Sequence, residues 1–524
     1  MLDVLVVGAG PSGLLMASEL ARYGLKCRII DRSALPTQES KAIVIQARTL
    51  EMFDHIGVID SFLEKGIRLQ AVTPISRGHP LAHVSFAHLP SPYPFVLSLE
   101  QRETEALLTQ HLTSFGLTIE REVELTSFQE TAEGIQATLR SKSGQEELLP
   151  VKWLIGCDGA HSIVRKSLEF SFTGKAFKDV FSLADLYIDW DYPENQLFAF
   201  LDSQGFIVAF PIPGKKRYRL IFQLDRCRNQ GGEKELPPPT LEETQALLQR
   251  YAGASVRLHD PVWMTNFHIN SRMTSSYRKD HLFLVGDAAH IHSPVGGQGM
   301  NTGLQDAFNL AWKLAFVHQR RANDRLLDTY NLERHGFGKK LLEVTEKASH
   351  LATLRNPILL TLRNCLISTI ARFSFVQNFL TRIISQTAIR YPKSLITRET
   401  GVFGGPKVGM RAPDATLGDT SLYTLFRKST CFHILLFTGP KPDPGVIEEC
   451  SHFAEEKKAQ LILIRHPQLS LARPQGILDL NGTAHRLYGA SERTLFYCLR
   501  PDIYIGCKTE KLLKLKKFLL FIKP

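Results

Sequence analysis

Residues 2–31 constrain the fold of this chain more than any other stretch. Leu2-Asp3-Val4-Leu5-Val6-Val7 reads as a short buried strand, and Gly8-Ala9-Gly10-Pro11-Ser12-Gly13 follows at once. Leu14 to Tyr23 has helical spacing and stops at Gly24, and the apolar run Cys27 to Ile30 ends on Asp31. Strand, glycine turn, helix, strand and terminal acid in this order form a βαβ dinucleotide-binding fingerprint. Gly8 permits the tight turn, Gly10 lets backbone approach a pyrophosphate, and Gly13 allows the helix to pack close to the strand. Free N–H groups at the helix start then face the phosphates. Asp31 stands where an acid accepts hydrogen bonds from an adenosine ribose.

A chain of 524 residues has room for two to four domains. Its 63 Lys and Arg exceed its 52 Asp and Glu, giving a net charge of +11. That charge is mostly dispersed and accompanies no zinc-finger or RNA-binding signature, so no nucleic-acid partner is expected. Six lysines between Lys508 and Lys523 read as the solvated face of a terminal helix. Eight scattered cysteines without a CxxC pair suggest reduced thiols. With no charged segment ahead of the first strand and no long apolar run, the expected location is cytoplasmic.

Two further strands end in a glycine and an aspartate. Val151 to Ile155 runs into Gly156-Cys157-Asp158-Gly159, and His281 to Val285 runs into Gly286-Asp287. An aspartate at the carboxyl end of a parallel strand projects into the ligand crevice. Asp287 is placed to meet ribityl hydroxyls, while Gly296, Gly297 and Gly299 let backbone press against a flat ring or a phosphate. A long helix from Gly303 to His318 follows, and the helix start near Gly299–Asn301 points its positive end at whatever lies there. Lys41 and Arg48 lie about a helix start where either phosphate contact or a solvated loop is expected. Residues 180–224 alternate as an antiparallel sheet, in which Tyr187, Tyr218, Phe198, Phe200, Phe206 and Phe210 are core, with some lining a pocket. His290 and His292 read as structural rather than as a proton relay, and too few ligands surround them for a metal.

These three motifs, with Ala47-Arg48-Thr49-Leu50-Glu51, Gln101 and Tyr330-Asn331-Leu332-Glu333-Arg334, resemble those of the FAD-dependent aromatic hydroxylases. The resemblance covers roughly the first two-thirds of the chain. From Ala388-Ile389-Arg390-Tyr391-Pro392 onward the chain is similar to the phenol-hydroxylase-like branch, which carries a C-terminal thioredoxin-like domain. It implies an α/β fold: a Rossmann-like FAD-binding domain from 1–70, 98–178 and 275–345, with an inserted mixed β-sheet substrate domain from 71–97 and 179–274. A helical segment at 346–400 and a thioredoxin-like domain without CxxC at 401–524 complete it. Gly8, Gly10, Gly13, Asp31 and Arg32 would bind the ADP half of FAD. Arg48, Gln101 and Asp287 would hold the pyrophosphate–ribityl segment, with Lys41 nearby. Pro294 and Gly297 to Asn301, including Gly299 and Met300, would line the flavin ring. Asp158 is associated with both FAD and nicotinamide binding, with Arg165 close by. Three departures stand out: Asp31 for a common Glu, Lys41 for a common Arg, and His335-Gly336 for a common Arg-Pro.

The implied reaction uses NADPH or NADH and O2 to hydroxylate a small phenolic ring through a C4a-hydroperoxide of the flavin. A related monooxygenase acting on a polyketide or quinone precursor, and a flavin-binding protein without turnover, are the alternatives. No WxWxIP motif supports a halogenase. No catalytic base is identifiable. The hydrophobic, basic stretch Pro357 to Ile384 reads as a packed helix pair buttressing the flavin domain; peripheral membrane contact, with Arg363, Arg372 and Arg382 at lipid, and a homodimer stay open.

Overall fold

The computed structural model describes residues 1–37, 42–202, 205–224, 236–292, 296–352, 354, 356–469 and 476–523, so Lys41 and Pro294 lie outside the described residues. Leu2–Val7 occupies the middle of an eight-stranded sheet. It pairs in parallel with Cys27–Asp31 on one side and with the C-terminal half of Glu146–Gly156 on the other. Leu282–Leu284 adds in parallel beyond that strand, and Ile119–Arg121 pairs with Cys27–Asp31. Val7, Gly156 and Leu284 fall side by side, so three chain segments leave the sheet at one carboxyl edge. The first half of Glu146–Gly156 instead pairs antiparallel with Gly134–Ser141. Its sequence carries the change, since Glu146 to Leu148 are exposed whereas Trp153 to Gly156 are buried.

Helix α1 (Pro11–Arg22) packs against α2 (Gln101–Thr113) and α3 (Gly299–His318). The approach is close enough to demand missing side chains. A Cβ on Gly13 would fall 1.9 Å from the Gly8 carbonyl oxygen, and one on Gly303 would fall 2.3 Å from Ser12 Oγ. Gly8 itself has φ +103°, and its Cβ would meet the Cys157 carbonyl at 2.4 Å.

The second sheet is nine-stranded and mixed. Arg257–Thr274, Phe172–Asp189, Arg217–Phe222, Gly205–Pro211 and Gln196–Asp202 pair antiparallel in that order, and Ala71–Ser76 joins the last in parallel. Alternation divides its side chains between two cores. Phe198, Phe200, Tyr218 and Phe222 pack on one face with Leu248 and Tyr251, while Leu197, Val208, Phe210 and Ile221 face the other. A third, five-stranded sheet runs in the order Ile477–Leu478, Gln460–Arg465, His433–Phe437, Leu495–Leu499, Ile505–Thr509. It docks on α3 through Phe432, whose ring lies 5.8 Å from Trp312 and 5.6 Å from Phe316.

Buried charge ties these units together. Asp306 on α3 accepts from Gly286 N (3.2 Å), His290 Nε2 (2.7 Å) and Arg334 Nε (2.6 Å). Arg334 also donates to the Thr302 carbonyl and to the Tyr391 hydroxyl. Its neighbour Glu333 accepts from Lys313, Asn309, Ser394 and both terminal nitrogens of Arg500. Burial opposes ionisation of both carboxyls, yet the cations win and hold each below the ordinary carboxylate range. Burial also draws Lys313 down to about 8 against the pull of Glu333.

Helices α4 (Gly336–Ala352), α5 (Pro357–Ile370) and α6 (Ser374–Ile384) follow. The expected packed buttress holds for one face of α5 and α6 only. Leu360, Arg363 and Thr381 are buried, but most of the large apolar side chains are exposed. Arg363 is therefore not at lipid; it donates to the Leu351 carbonyl and to Asn364 Oδ1. Among the described residues no single helix is long and apolar enough to cross a membrane.

Gly13→Ala destabilises the protein by about 1–3 kcal/mol through overpacking, whereas Gly10→Ala, whose Cβ meets nothing within 4 Å, leaves urea unfolding unchanged. Arg334→Met strands Asp306 in the interior and costs about 3–5 kcal/mol. The same series has a pH signature. A carboxyl held low in the fold contributes stability above its unfolded pKa of about 4, and that contribution is lost as pH falls through the lowered value. Asp306 and Glu333 thus make the urea midpoint of the wild type decline on the acid side, and in Arg334→Met, where Asp306 has lost its main cation, that decline begins at higher pH.

Candidate active site

The carboxyl edge of the first sheet assembles the three glycine motifs into one crevice. Gly8 to Gly10 leave the central strand there, Asp158 leaves its neighbour, and Asp287 leaves the next on a tight turn, Gly286–Ala288. Two helices begin at this edge. Neither Gly10 ahead of α1 nor Gln298 ahead of α3 supplies a side-chain cap, so first-turn N–H groups of both helices remain for a ligand. The space in front of them is open, because a Cβ on Gly10 or on Gly299 would meet no atom within 4 Å.

The anticipated residues divide by what the structure gives them to hold. Asp31 accepts from Ala9 N (2.7 Å) and Ser33 N (2.8 Å), bracing the glycine turn with one oxygen each, and a carboxylate has lone pairs left for a ribose. Arg32 is exposed beside it. Asp158 caps the helix Ile163–Ser167 through Oδ2, 2.7 Å from Ile163 N, while its Oδ1 is buried without a partner among the described residues. Burial raises its pKa, and hydrogen bonds only partly offset that. Asp287 is exposed between buried neighbours, as a ligand contact at a strand end should be. Gly297 has φ +62° and lies against Val44, and Met300 is half-buried.

Other members are occupied elsewhere. Arg48 is buried with its guanidinium on Glu51 (3.1 Å), on the Asp502 carbonyl (3.0 Å) and over the Tyr504 ring, in the contact with the third sheet. Arg165 donates to the Ala288 carbonyl (2.8 Å) and the Ala160 carbonyl (2.7 Å), strapping the two aspartate-bearing turns together. Asn301 clamps α3 to the segment before the helix Ala47–Ile56 by donating to the Val44 and Gly297 carbonyls and accepting from Gln46 N. Gln101 accepts from Ala42 N and donates to Glu105. His290 is part of the Asp306 network, and burial keeps the adjacent His292 neutral near pH 7.

Beside the crevice lies an apolar cavity of about 240 Å³, lined by the second sheet, by Val44, Leu69 and Val96 of a small sheet (Val44–Ile45, Val96–Ser98 and Ile67–Leu69) and by Ile384 of α6. Phe206 and Phe210 line it together with Leu197, Ala199 and Val208, whereas Phe198, Phe200 and Tyr218 point into the opposite core. Val44 and Gln46 belong both to this wall and to the clamp around Asn301, so cavity and crevice share a border. Gln46 is the one polar side chain among the described lining residues, and its Oε1 is buried without a partner among them. Sequence pattern did not single out Gln46, because a lone amide before a helix has no periodic or motif signal.

The donor set fits FAD: two uncapped helix starts, an orphaned Asp158 oxygen and glycine-walled space in one crevice. Comparison with known proteins agrees. A family model described as an FAD binding domain matches residues 1–345. Pentachlorophenol 4-monooxygenase of Sphingobium chlorophenolicum is 34% identical, covering 96% of this chain and 93% of that protein. Rifampicin monooxygenase of Streptomyces venezuelae is 33% identical over 75% of this chain and 80% of its own length. Among solved structures, the anhydrotetracycline hydroxylase of Streptomyces rimosus superposes with a TM-score of 0.78 at 28% identity, covering 99% of both chains. This chain therefore belongs to the FAD-dependent aromatic and polyketide monooxygenases.

Proposed function

We propose that this monooxygenase hydroxylates a compact phenolic ring held in the apolar cavity, with the phenol hydroxyl donating to Gln46 Oε1. The observation that carries this reading is the unpartnered amide oxygen of Gln46, the one polar side chain among the described lining residues, at the border with the cofactor crevice. An unpaired buried acceptor is costly, and a substrate hydroxyl is the group that relieves it. The volume of about 240 Å³ lies below the usual range of ligand pockets, which favours a one- or two-ring substrate over a tetracyclic one. FAD reduced by NAD(P)H supplies the activation of O2. The chain supplies orientation through Gln46, exclusion of water by the apolar walls, and the positive end of α3 toward negative charge on the ring system.

Within this proposal Gly8, Gly10, Gly13, Asp31 and Arg32 hold the ADP half, Asp158 and Asp287 the central segment, and Gly297, Gly299 and Met300 the ring. Arg48, Arg165 and Asn301 act as positioning residues through backbone and domain contacts. The C-terminal sheet is read as thioredoxin-like in topology and structural in role. It has no CxxC, and burial pushes the Cys450 and Cys507 thiols up to about 12, far from a reactive thiolate.

The test is NADPH and NADH oxidation by the FAD-loaded enzyme with a panel of phenols, naphthols and polycyclic phenols, with product identified by mass. A phenol that accelerates oxidation and gains one oxygen supports the reading; stimulation only by polycyclic substrates overturns the size argument. Gln46→Leu raises KM for a phenol about tenfold, the loss of one hydrogen bond, and changes KM little for the matching methyl ether. Val208→Trp fills the cavity and abolishes phenol stimulation with FAD still bound. Asp287→Ala instead lowers FAD occupancy, read from the visible spectrum.

A further inference from the structure

We propose that the helix pair α5–α6 seats this protein on an anionic phospholipid surface. Along α5, Ile358, Leu362, Leu366 and Ile370 recur every four residues, so they share one face, and Ile358 is 72% exposed and Leu366 59%. Phe373 at the bend, whose ring lies 5.8 Å from that of Phe375, and Phe375 and Phe379 on α6, at 70% and 62%, are exposed as well. The inner face carries Arg363, Thr381 and Ala371 with one large apolar residue, Leu360. An ordinary surface helix turns its apolar stripe inward, whereas most of the apolar residues here face outward. Scattered exposed leucines need no explanation, but a contiguous apolar face does.

Geometry favours lying on a bilayer rather than crossing it. Helices of 14 and 11 residues extend about 21 and 17 Å at about 1.5 Å per residue, short of a hydrocarbon core of about 30 Å. They meet at a bend of 106°. Charge identifies the kind of surface. Between Glu346 and Glu399 the sequence holds no acidic residue and eight Lys or Arg. Where α6 ends, a groove of about 500 Å³ is lined by Lys340, Arg382, Arg390 and Lys393, of which Arg390 lies 3.7 Å from Glu399. The one carboxylate on that lining, Glu333, is buried and paired with Lys313 and Arg500. A cationic groove at the end of an apolar stripe matches an anionic headgroup above acyl chains. A second copy of the chain would bring the same cations, with no acid from this segment to oppose them.

Ile384, the last residue of α6, lines the apolar cavity, so a bilayer-seated α6 sets that cavity beside the membrane. On the hydroxylase reading above, the ring that enters is then a lipophilic one; the docking itself does not depend on that reading.

Flotation of the full-length, FAD-loaded protein with vesicles tests the proposal. Wild type is expected to float with phosphatidylcholine vesicles containing phosphatidylglycerol, to float less as salt rises, and to stay behind with phosphatidylcholine alone. Leu366→Asp with Phe375→Asp, at exposed positions, and separately Lys340→Glu with Lys393→Glu, each reduce the bound fraction at least tenfold. FAD absorbance and turnover of a water-soluble phenol stay at wild-type levels in both. Wild type that ignores anionic vesicles, or variants that float as well as it does, overturns the proposal. A dimer in sedimentation velocity that the Asp variant splits, without vesicle binding, overturns it too and makes the face a self-interface. Vesicle binding in a protein that no phenol stimulates would sink only the hydroxylase reading.

Discussion

The carboxylate of Asp306 is the contact on which the rest of the site depends. It stands on α3 and accepts at once from the turn that presents Asp287, from His290 and from Arg334. A buried carboxylate requires partners of this kind, and they come from two separate segments, the stretch Gly286 to His290 and the turn that carries Arg334. The start of α3, the strand-end aspartate and the π-helical turn Asn331–His335 are thereby held to one another. The same turn places Glu333 against Arg500 and Lys313, so two consecutive residues of opposite charge fasten the crevice on one side and the third sheet on the other. Orientation at the crevice is consequently inherited from buried ion pairs some way behind it.

The second sheet contributes by division of faces. Its strands alternate bulky apolar residues on both sides, which buries one face against the helix Leu241–Ala252 and leaves the other to wall the cavity. On the cavity side the residues include Ala199 and Val208, and smaller side chains there leave space where Phe198 and Phe200 fill the opposite core. Gln46 enters this wall because Asn301 fixes the backbone on which it is carried. Substrate orientation and cofactor cradle thus share a clamp.

The third sheet affects the site indirectly. Arg48 sits in a motif that resembles a phosphate contact, yet its guanidinium is directed at the Asp502 carbonyl and the Tyr504 ring. The helix that bears it is then held from behind by the C-terminal unit, while its N-terminal neighbours Val44 and Gln46 face the cavity. Buried thiols in that unit lack the exposure that redox exchange requires.

What the sequence by itself determined is whatever depends on local backbone geometry. Gly8 and Gly13 were legible because no other residue fits there, and the strands ending at Asp158 and Asp287 because apolar runs stop on an acid. The helix start near Gly299 and the alternating strands within 180–224 follow from the same short-range patterns, whereas the parallel strand Ala71–Ser76 that makes the second sheet mixed does not. What only the tertiary structure decided is which long side chain reaches which partner. Arg48, Arg165 and Asn301 have the chemistry of ligand contacts and turn instead to carbonyls, because partners far away in the chain came within reach. Which faces of the second sheet enclose a cavity, and that α5 and α6 leave their apolar side uncovered, likewise depend on what packs against them. An amphipathic pattern specifies that a face is apolar; only the assembled fold specifies whether anything in the chain covers it.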